Sequence, residues 1–163
     1  MNELLPGVPK SVWAGVLHAL ASALGFELEE IREVIERHPL ERDVQLPTGT
    51  LAQGTQGAFR FEVQGIVGDR PVLIVEHITR IVDDTAPQWP RADGMGHHQV
   101  RITGRPNIAL TLESTDESGD HVAGGNATAA ARLVNAIPWL CDAPPGLVSG
   151  FELPLIVGRG LVC

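Results

Sequence analysis

Residues 57–67 read Gly-Ala-Phe-Arg-Phe-Glu-Val-Gln-Gly-Ile-Val. Phe59, Phe61 and Val63 alternate with Arg60, Glu62 and Gln64. A period of two puts the apolar set on one face of a β-strand and the charged set on the other. Gly68-Asp69-Arg70 supplies a turn, and residues 72–82 resume as a long strand. Two such runs across a short Gly-Asp turn predict an antiparallel hairpin. The second run is apolar except at Glu76, His77, Thr79 and Arg80. Glu76 and His77 are neighbours, so they face opposite ways and at most one points to the core. A buried group there needs a partner. One reading pairs the wet face across to Arg60 or Glu62. The other places His77 in a ligand pocket.

Working outward, Asp43-Val44-Gln45-Leu46 forms a short strand candidate before the Pro47-Thr48-Gly49 turn. Residues 83–96 are rich in Pro, Asp and Gly and read as a loop. Residues 98–103 and 107–113 are two more strand candidates about Gly104-Arg105-Pro106. Upstream, Val12, Val16, Ala19, Leu20 and Leu24 recur at helical spacing, which predicts a helix over 9–24 with Ser11 as N-cap and Gly25 as stop. His18 is a helix histidine in this reading rather than a ligand. Leu28, Ile31, Val34 and Ile35 predict a second helix over 27–37, with Glu33 and Arg37 as an i,i+4 pair on its solvated face. Downstream, residues 125–141 predict a helix of small residues, with Asn126 as N-cap and Pro138 as kink or end. Its only formal charge is Arg132, so it needs cover on most sides. The tail 153–162 is apolar with Gly158-Arg159-Gly160 inside it. The order of elements gives an α+β fold: an antiparallel or mixed sheet of four to five strands with helices packed on one face.

Composition narrows the function. The chain has 163 residues, 44% hydrophobic and 20% charged, which suits a single folded domain over 1–163. Net charge is −8, and the 12 Lys and Arg are scattered, which disfavours nucleic acid and anionic membranes as partners. No apolar run approaches the roughly 20 residues of a membrane span. The N-terminus has no signal-peptide pattern and the two cysteines make no disulfide framework, so a cytoplasmic location is expected.

Chemical motifs are few. Gly94-Met95-Gly96 lacks the third glycine of a dinucleotide fingerprint, and no P-loop occurs. His97 and His98 are adjacent and would diverge on a strand; no cysteine pair has zinc spacing, so no metal site is assigned. No nucleophile elbow is present. A hydrolase or isomerase would need an acid and a base in one pocket, which Glu76 and His77 cannot supply on a regular strand. Gly124-Gly125-Asn126-Ala127-Thr128 precedes or opens a helix, where simple capping and tight packing is the first reading and close approach of a backbone or a polar ligand the second.

Several blocks together resemble a known family. They are Phe59 through Val67, Val75-Glu76-His77-Ile78-Thr79-Arg80, Ala127-Thr128 through Val134-Asn135-Ala136-Ile137-Pro138, Ala143-Pro144-Pro145-Gly146-Leu147, Leu153-Pro154-Leu155 and Gly158-Arg159-Gly160-Leu161. From about residue 11 to 162 the chain is similar to the C-terminal domain of the 2,4-diaminopentanoate dehydrogenase family, NAD(P)H-dependent amine dehydrogenases described as dihydrodipicolinate reductase-like. The resemblance implies a substrate-side domain that works beside an N-terminal Rossmann domain holding NAD(P)H. It implies an amine or ketone as small-molecule partner and a homodimer. Carried onto this sequence, it places His77 and Thr128 at the substrate, with Asn126 and Asn135 as further candidates. The family's general acid, a carboxylate of the N-terminal half, has no counterpart here. No catalytic residue and no bound cofactor are therefore expected in this chain alone. The alternative is a stand-alone ligand-binding or dimerisation module that pairs with a separate Rossmann subunit.

Overall fold

The structure is a computed structural model that describes residues 6–91 and 96–154. The chain divides into two compact units that meet in sequence between residues 91 and 92.

In the first unit, α1 (Val8–Leu24) precedes β1 (Glu30–Pro39), β2 (Val44–Leu46), β3 (Gly49–Leu51), β4 (Gln56–Val67) and β5 (Arg70–Arg80). β1, β4 and β5 form a three-stranded antiparallel sheet with β4 in the centre. β2 and β3 form a small hairpin of their own. The β4–β5 turn is the two residues Gly68 and Asp69, with φ of 55° and 60°. Both angles are left-handed, as a type I′ hairpin turn requires, and Gly-Asp tolerates them.

The predicted helix over 27–37 is strand β1 instead. Ile31 and Ile35 stand four apart, which is one face of a helix and also one face of a strand. Tertiary pairing decides: Glu30 through His38 pair in unbroken register with Ile66 through Ala58. The expected i,i+4 pair of Glu33 and Arg37 is therefore not made on a helix face. Glu33 accepts the backbone N–H groups of Gly7 and Lys10, each at 2.7 Å. This carboxylate closes the N-terminus of α1, whose cap residue is Gly7 rather than Ser11. The Ser11 hydroxyl donates to the Val8 carbonyl at 2.8 Å. Gly25 ends α1 in the left-handed conformation, as expected.

α1 lies on one face of the sheet. Leu17 is fully buried against Phe61 and Val63, with Trp13, Leu28, Ile31, Ile35, Phe59, Leu73 and Val75 around them. Leu28 covers Gly65 so closely that a Cβ there would meet its side chain at 2.8 Å. The opposite face has a small cluster at one end, where Ala86 and Trp89 pack on Ala58 and Ile78. Arg80 pins this loop. Its guanidinium donates to the carbonyls of Thr85, Ala86, Trp89 and Pro90 at 2.9–3.3 Å.

In the second unit, β6 (His98–Ile102) and β7 (Ile108–Leu112) form an antiparallel hairpin, and α2 spans His121–Asp142. One hairpin face carries Val100, Ile102, Ile108, Leu110 and Leu112, all exposed. α2 begins earlier than expected. Its N-cap is Asp120, not Asn126, and the Asp120 carboxylate accepts the N–H groups of Val122 and Ala123. α2 also runs through Pro138 rather than ending there. A proline has no N–H, so the Val134 carbonyl loses one helical bond near the C-terminal end. Among the described residues, Gly124 and Ala136 are the buried ones of α2, less cover than its composition predicts.

The α+β class and antiparallel pairing hold, while the largest described sheet has three strands rather than four to five. The predicted loop residues 92–95 and the tail from residue 155 lie outside the described residues.

Candidate functional site

Register places His77 beside Phe61 and Thr79 beside Phe59. All four lie on the face that α1 covers, because Phe61 is in its core cluster. The helix covers the Val63 end of that face. At the other end Phe59 is half-buried, and His77 and Thr79 are exposed. The result is a shelf of three rings. The imidazole of His77 stacks on Phe61 at 5.3 Å between centroids and 24°, and tilts over Phe59 at 5.7 Å and 41°. Phe59 and Phe61 stack at 6.3 Å and 19°. His77 Nε2 shares a hydrogen bond of 2.7 Å with the Thr79 hydroxyl.

Partial desolvation against these rings holds the His77 imidazolium below its ordinary pKa of 6.5. The ring is therefore neutral at neutral pH and has one donor and one acceptor nitrogen. A neutral imidazole on an apolar shelf can bond a carbonyl or amine without repelling an ammonium group.

Glu76 points the other way. There Arg60 forms ion pairs with Glu36, Glu62 and Glu76, and Gln64 donates to Glu62. Arg60 and Glu62 are largely covered, with 20% and 15% of their side chains exposed. One guanidinium thus satisfies three carboxylates, which explains how this sheet face tolerates its charge. Glu76 and His77 cannot serve one ligand, as the strand alternation predicts.

The other candidates belong to the second unit. The Thr128 hydroxyl donates to the Gly124 carbonyl at 2.9 Å and lies 3.1 Å from the Ser114 hydroxyl. Gly124 presses on the Thr115 backbone, where a Cβ would come within 2.4 Å. These contacts seat residues 114–120 against the first turns of α2. Thr128 and Asn135 are seven residues apart and share a helix face, while Asn126 lies roughly 180° from Asn135. The structure thus separates Asn126 from Asn135, and both are exposed.

The spacing of the sequence does not bring Phe59 and Arg37 together beside His77. Arg37 pairs with Phe59 across β1 and β4, at the edge of the shelf. On a helix over 27–37 it would lie on a solvated face; on β1 it shares the face of Phe59. Among the described residues no group of three His, Cys, Asp or Glu side chains gathers to hold a metal. The described sheets are antiparallel, and among the described residues no glycine-rich loop joins a parallel strand to a helix.

The family model of the 2,4-diaminopentanoate dehydrogenase C-terminal domain matches residues 11–160. The chain belongs to this family. Over 161 residues it is 50% identical to a protein named amine dehydrogenase from Streptomyces virginiae. That match takes in 96% of this chain and 45% of the relative, so the chain spans under half the relative's length. The solved structure of an amine dehydrogenase from Mycobacterium smegmatis superposes with a TM-score of 0.60, over 90% of this chain and 39% of that one. At 23% identity this likeness establishes the fold.

Proposed function

We propose that this chain is the substrate-side domain of an amine dehydrogenase and that its ring shelf forms a wall of the substrate pocket. The observation that carries the reading is His77, neutral and stacked on Phe59 and Phe61 where the sheet extends past α1. In such an enzyme a ketone, ammonia and NAD(P)H with one proton give an amine, NAD(P)+ and water. The shelf holds the apolar part of the amine or ketone, and His77 with Thr79 bonds its polar end. Orientation of this kind lowers the entropic part of the barrier. The nicotinamide and the proton-transferring group belong to residues other than those described here, so this unit shapes and orients the substrate.

The family reading also names Thr128 and Asn135 on one face of α2 and Asn126 on another as further candidates, and it takes residues 1–163 as one functional domain, a homodimer and a cytosolic location. The exposed apolar hairpin face of β6 and β7 supports a partner surface. No helix among the described residues is long and apolar enough to cross a membrane.

The test is a titration of the chain with cyclohexanone and cyclohexylamine, followed at the ring protons of His77 and Phe59 by NMR. Saturable shifts confined to the shelf are expected, and unmoved resonances at millimolar probe would refute the reading. NADH added to the chain alone should show no saturable binding.

A further inference from the structure

β1 and β5 flank β4 and end at the same level, where His38 and Arg80 both pair with Ala58. The segments that follow them, residues 40–44 and 82–85, line a pocket of about 220 Å³ that shares no residue with the ring shelf. Leu40 and Val44 are buried and Val82 is half-buried, so its inner wall is apolar. Each segment is held from outside the pocket. The Leu40 N–H donates to the Thr55 carbonyl at 2.8 Å, and the Leu40 carbonyl accepts from the Gly54 N–H at 2.9 Å. Gly57 makes room for the Leu40 side chain, which a Cβ there would meet at 2.5 Å. On the other side, the Arg80 guanidinium holds the Thr85 carbonyl at 2.9 Å. The walls are therefore formed before any ligand arrives.

Thr85 brings the polar chemistry. Its exposure is 6%, and it is the buried polar residue among those described. Its N–H donates to the Val82 carbonyl at 3.1 Å and its carbonyl is taken by Arg80, so both backbone groups are satisfied. The hydroxyl has no hydrogen-bond partner among the described residues and is not sealed in by its neighbours, so it opens into the pocket that Thr85 lines. A hydroxyl is donor and acceptor at once, and in an apolar hollow it gives up most of its bonds to water. Arg42 and Asp84, one from each segment, form an exposed ion pair at 2.6 Å on the rim. With that pair balanced, Glu41 is the remaining charge of the lining and repels an anion. A cation would lose hydration against Leu40, Val44 and Val82. The lining favours a neutral ligand.

We propose that this pocket is a second ligand site, for a small neutral molecule that joins a hydroxyl to a short aliphatic or aryl body, and that Thr85 bonds the hydroxyl. The site stands independently of the substrate reading of the shelf. An apolar cavity of roughly 150 Å³ accommodates benzene, and about 220 Å³ leaves room for a hydroxyl on the ring.

Phenol and toluene have nearly the same shape, and phenol alone has the hydroxyl. Each is titrated into the full chain and followed at the methyl groups of Leu40, Val44 and Val82 by NMR. Saturable shifts with roughly millimolar affinity are expected for ligands of about seven non-hydrogen atoms. Thr85→Val keeps the shape and removes the hydroxyl. It should weaken phenol about five- to tenfold, the loss of one neutral hydrogen bond, and leave toluene bound at least as tightly. Thr85→Val should also melt no lower than the unmodified chain, because the hydroxyl has no partner in the chain to lose. Phenol binding that Thr85→Val leaves unchanged overturns the assignment. A lower melting temperature for Thr85→Val does so too, since it would reveal an internal partner. Methyl groups unmoved by both probes, or shifts confined to His77 and Phe59, would mean that Thr85 faces water alone.

Discussion

The Glu33 carboxylate accepts the backbone N–H of Lys10 at 2.7 Å, across 23 residues of sequence. A second oxygen takes Gly7 N–H, so a strand side chain does the work of an N-cap that the helix's own residues leave undone. The negative charge also meets the positive end of the helix dipole. Glu33→Ala should therefore cost about 1–2 kcal/mol of unfolding free energy, and Glu33→Gln somewhat less. Urea denaturation followed by far-UV circular dichroism checks this. A midpoint unchanged in Glu33→Ala would mean that water caps α1 equally well.

The adjacent glycines Gly124 and Gly125 should answer oppositely to the same change. A Cβ on Gly124 would meet the Thr115 backbone at 2.4 Å, while one on Gly125 would meet nothing within 4 Å. Backbone cannot swing aside as a side chain can. Gly124→Ala is expected to destabilise by about 1–3 kcal/mol. Gly125→Ala, in the same helix, should stabilise by up to about 1 kcal/mol. Thermal melts of the two variants side by side decide it; equal shifts would refute the contact at Thr115.

Arg80 should hold the loop after β5 in place. Its guanidinium bonds four carbonyls between Thr85 and Pro90 while Ala86 and Trp89 pack on the sheet. Arg80→Met keeps the apolar stem and removes every donor. The expected loss is about 1–3 kcal/mol, with faster amide exchange across residues 81–91. Exchange in β1 and β4 should change far less. Uniform acceleration over the whole unit would show that the clamp supports more than the loop.

The β4–β5 hairpin was legible because two signals agree there. Alternation in Phe59, Phe61 and Val63 and the Gly68-Asp69 turn both specify one register. β1 was not legible from spacing. Ile31 and Ile35 fit either period, and the deciding fact is long-range pairing with β4, which local sequence does not encode. The difference changes the surroundings of Arg37, which on a helix face is a solvated charge and on β1 is a neighbour of Phe59. The N-cap of α2 was misplaced for a related reason. Asn126 suits a cap by type, but Asp116 accepts the N–H groups of Ser118 and Asp120 and sets a turn that starts the helix earlier. Glu76 and His77 stand out in the sequence as the polar interruption of their strand; the face each takes, and the rings and the Thr79 partner of His77, come only with the register.

Partial desolvation on the ring shelf also makes His77 a source of pH dependence. Its folded-state pKa lies below 6.5, the value expected once the chain unfolds and exposes it. Above that pH the imidazole is neutral in both states and the shelf is at full stability. As pH falls below about 6.5, the unfolded chain binds a proton before the folded one does, and stability is lost. The loss is complete once pH has passed the lower, folded value. His77→Phe keeps a ring on Phe59 and Phe61 and removes the titration. Between pH 7.5 and 5.5 the unmodified chain should lose more stability than His77→Phe, and the His77 Hε1 resonance should titrate with a midpoint under 6.5. Parallel stability profiles, or a midpoint at or above 6.5, would show that the imidazole is solvated rather than held among the rings.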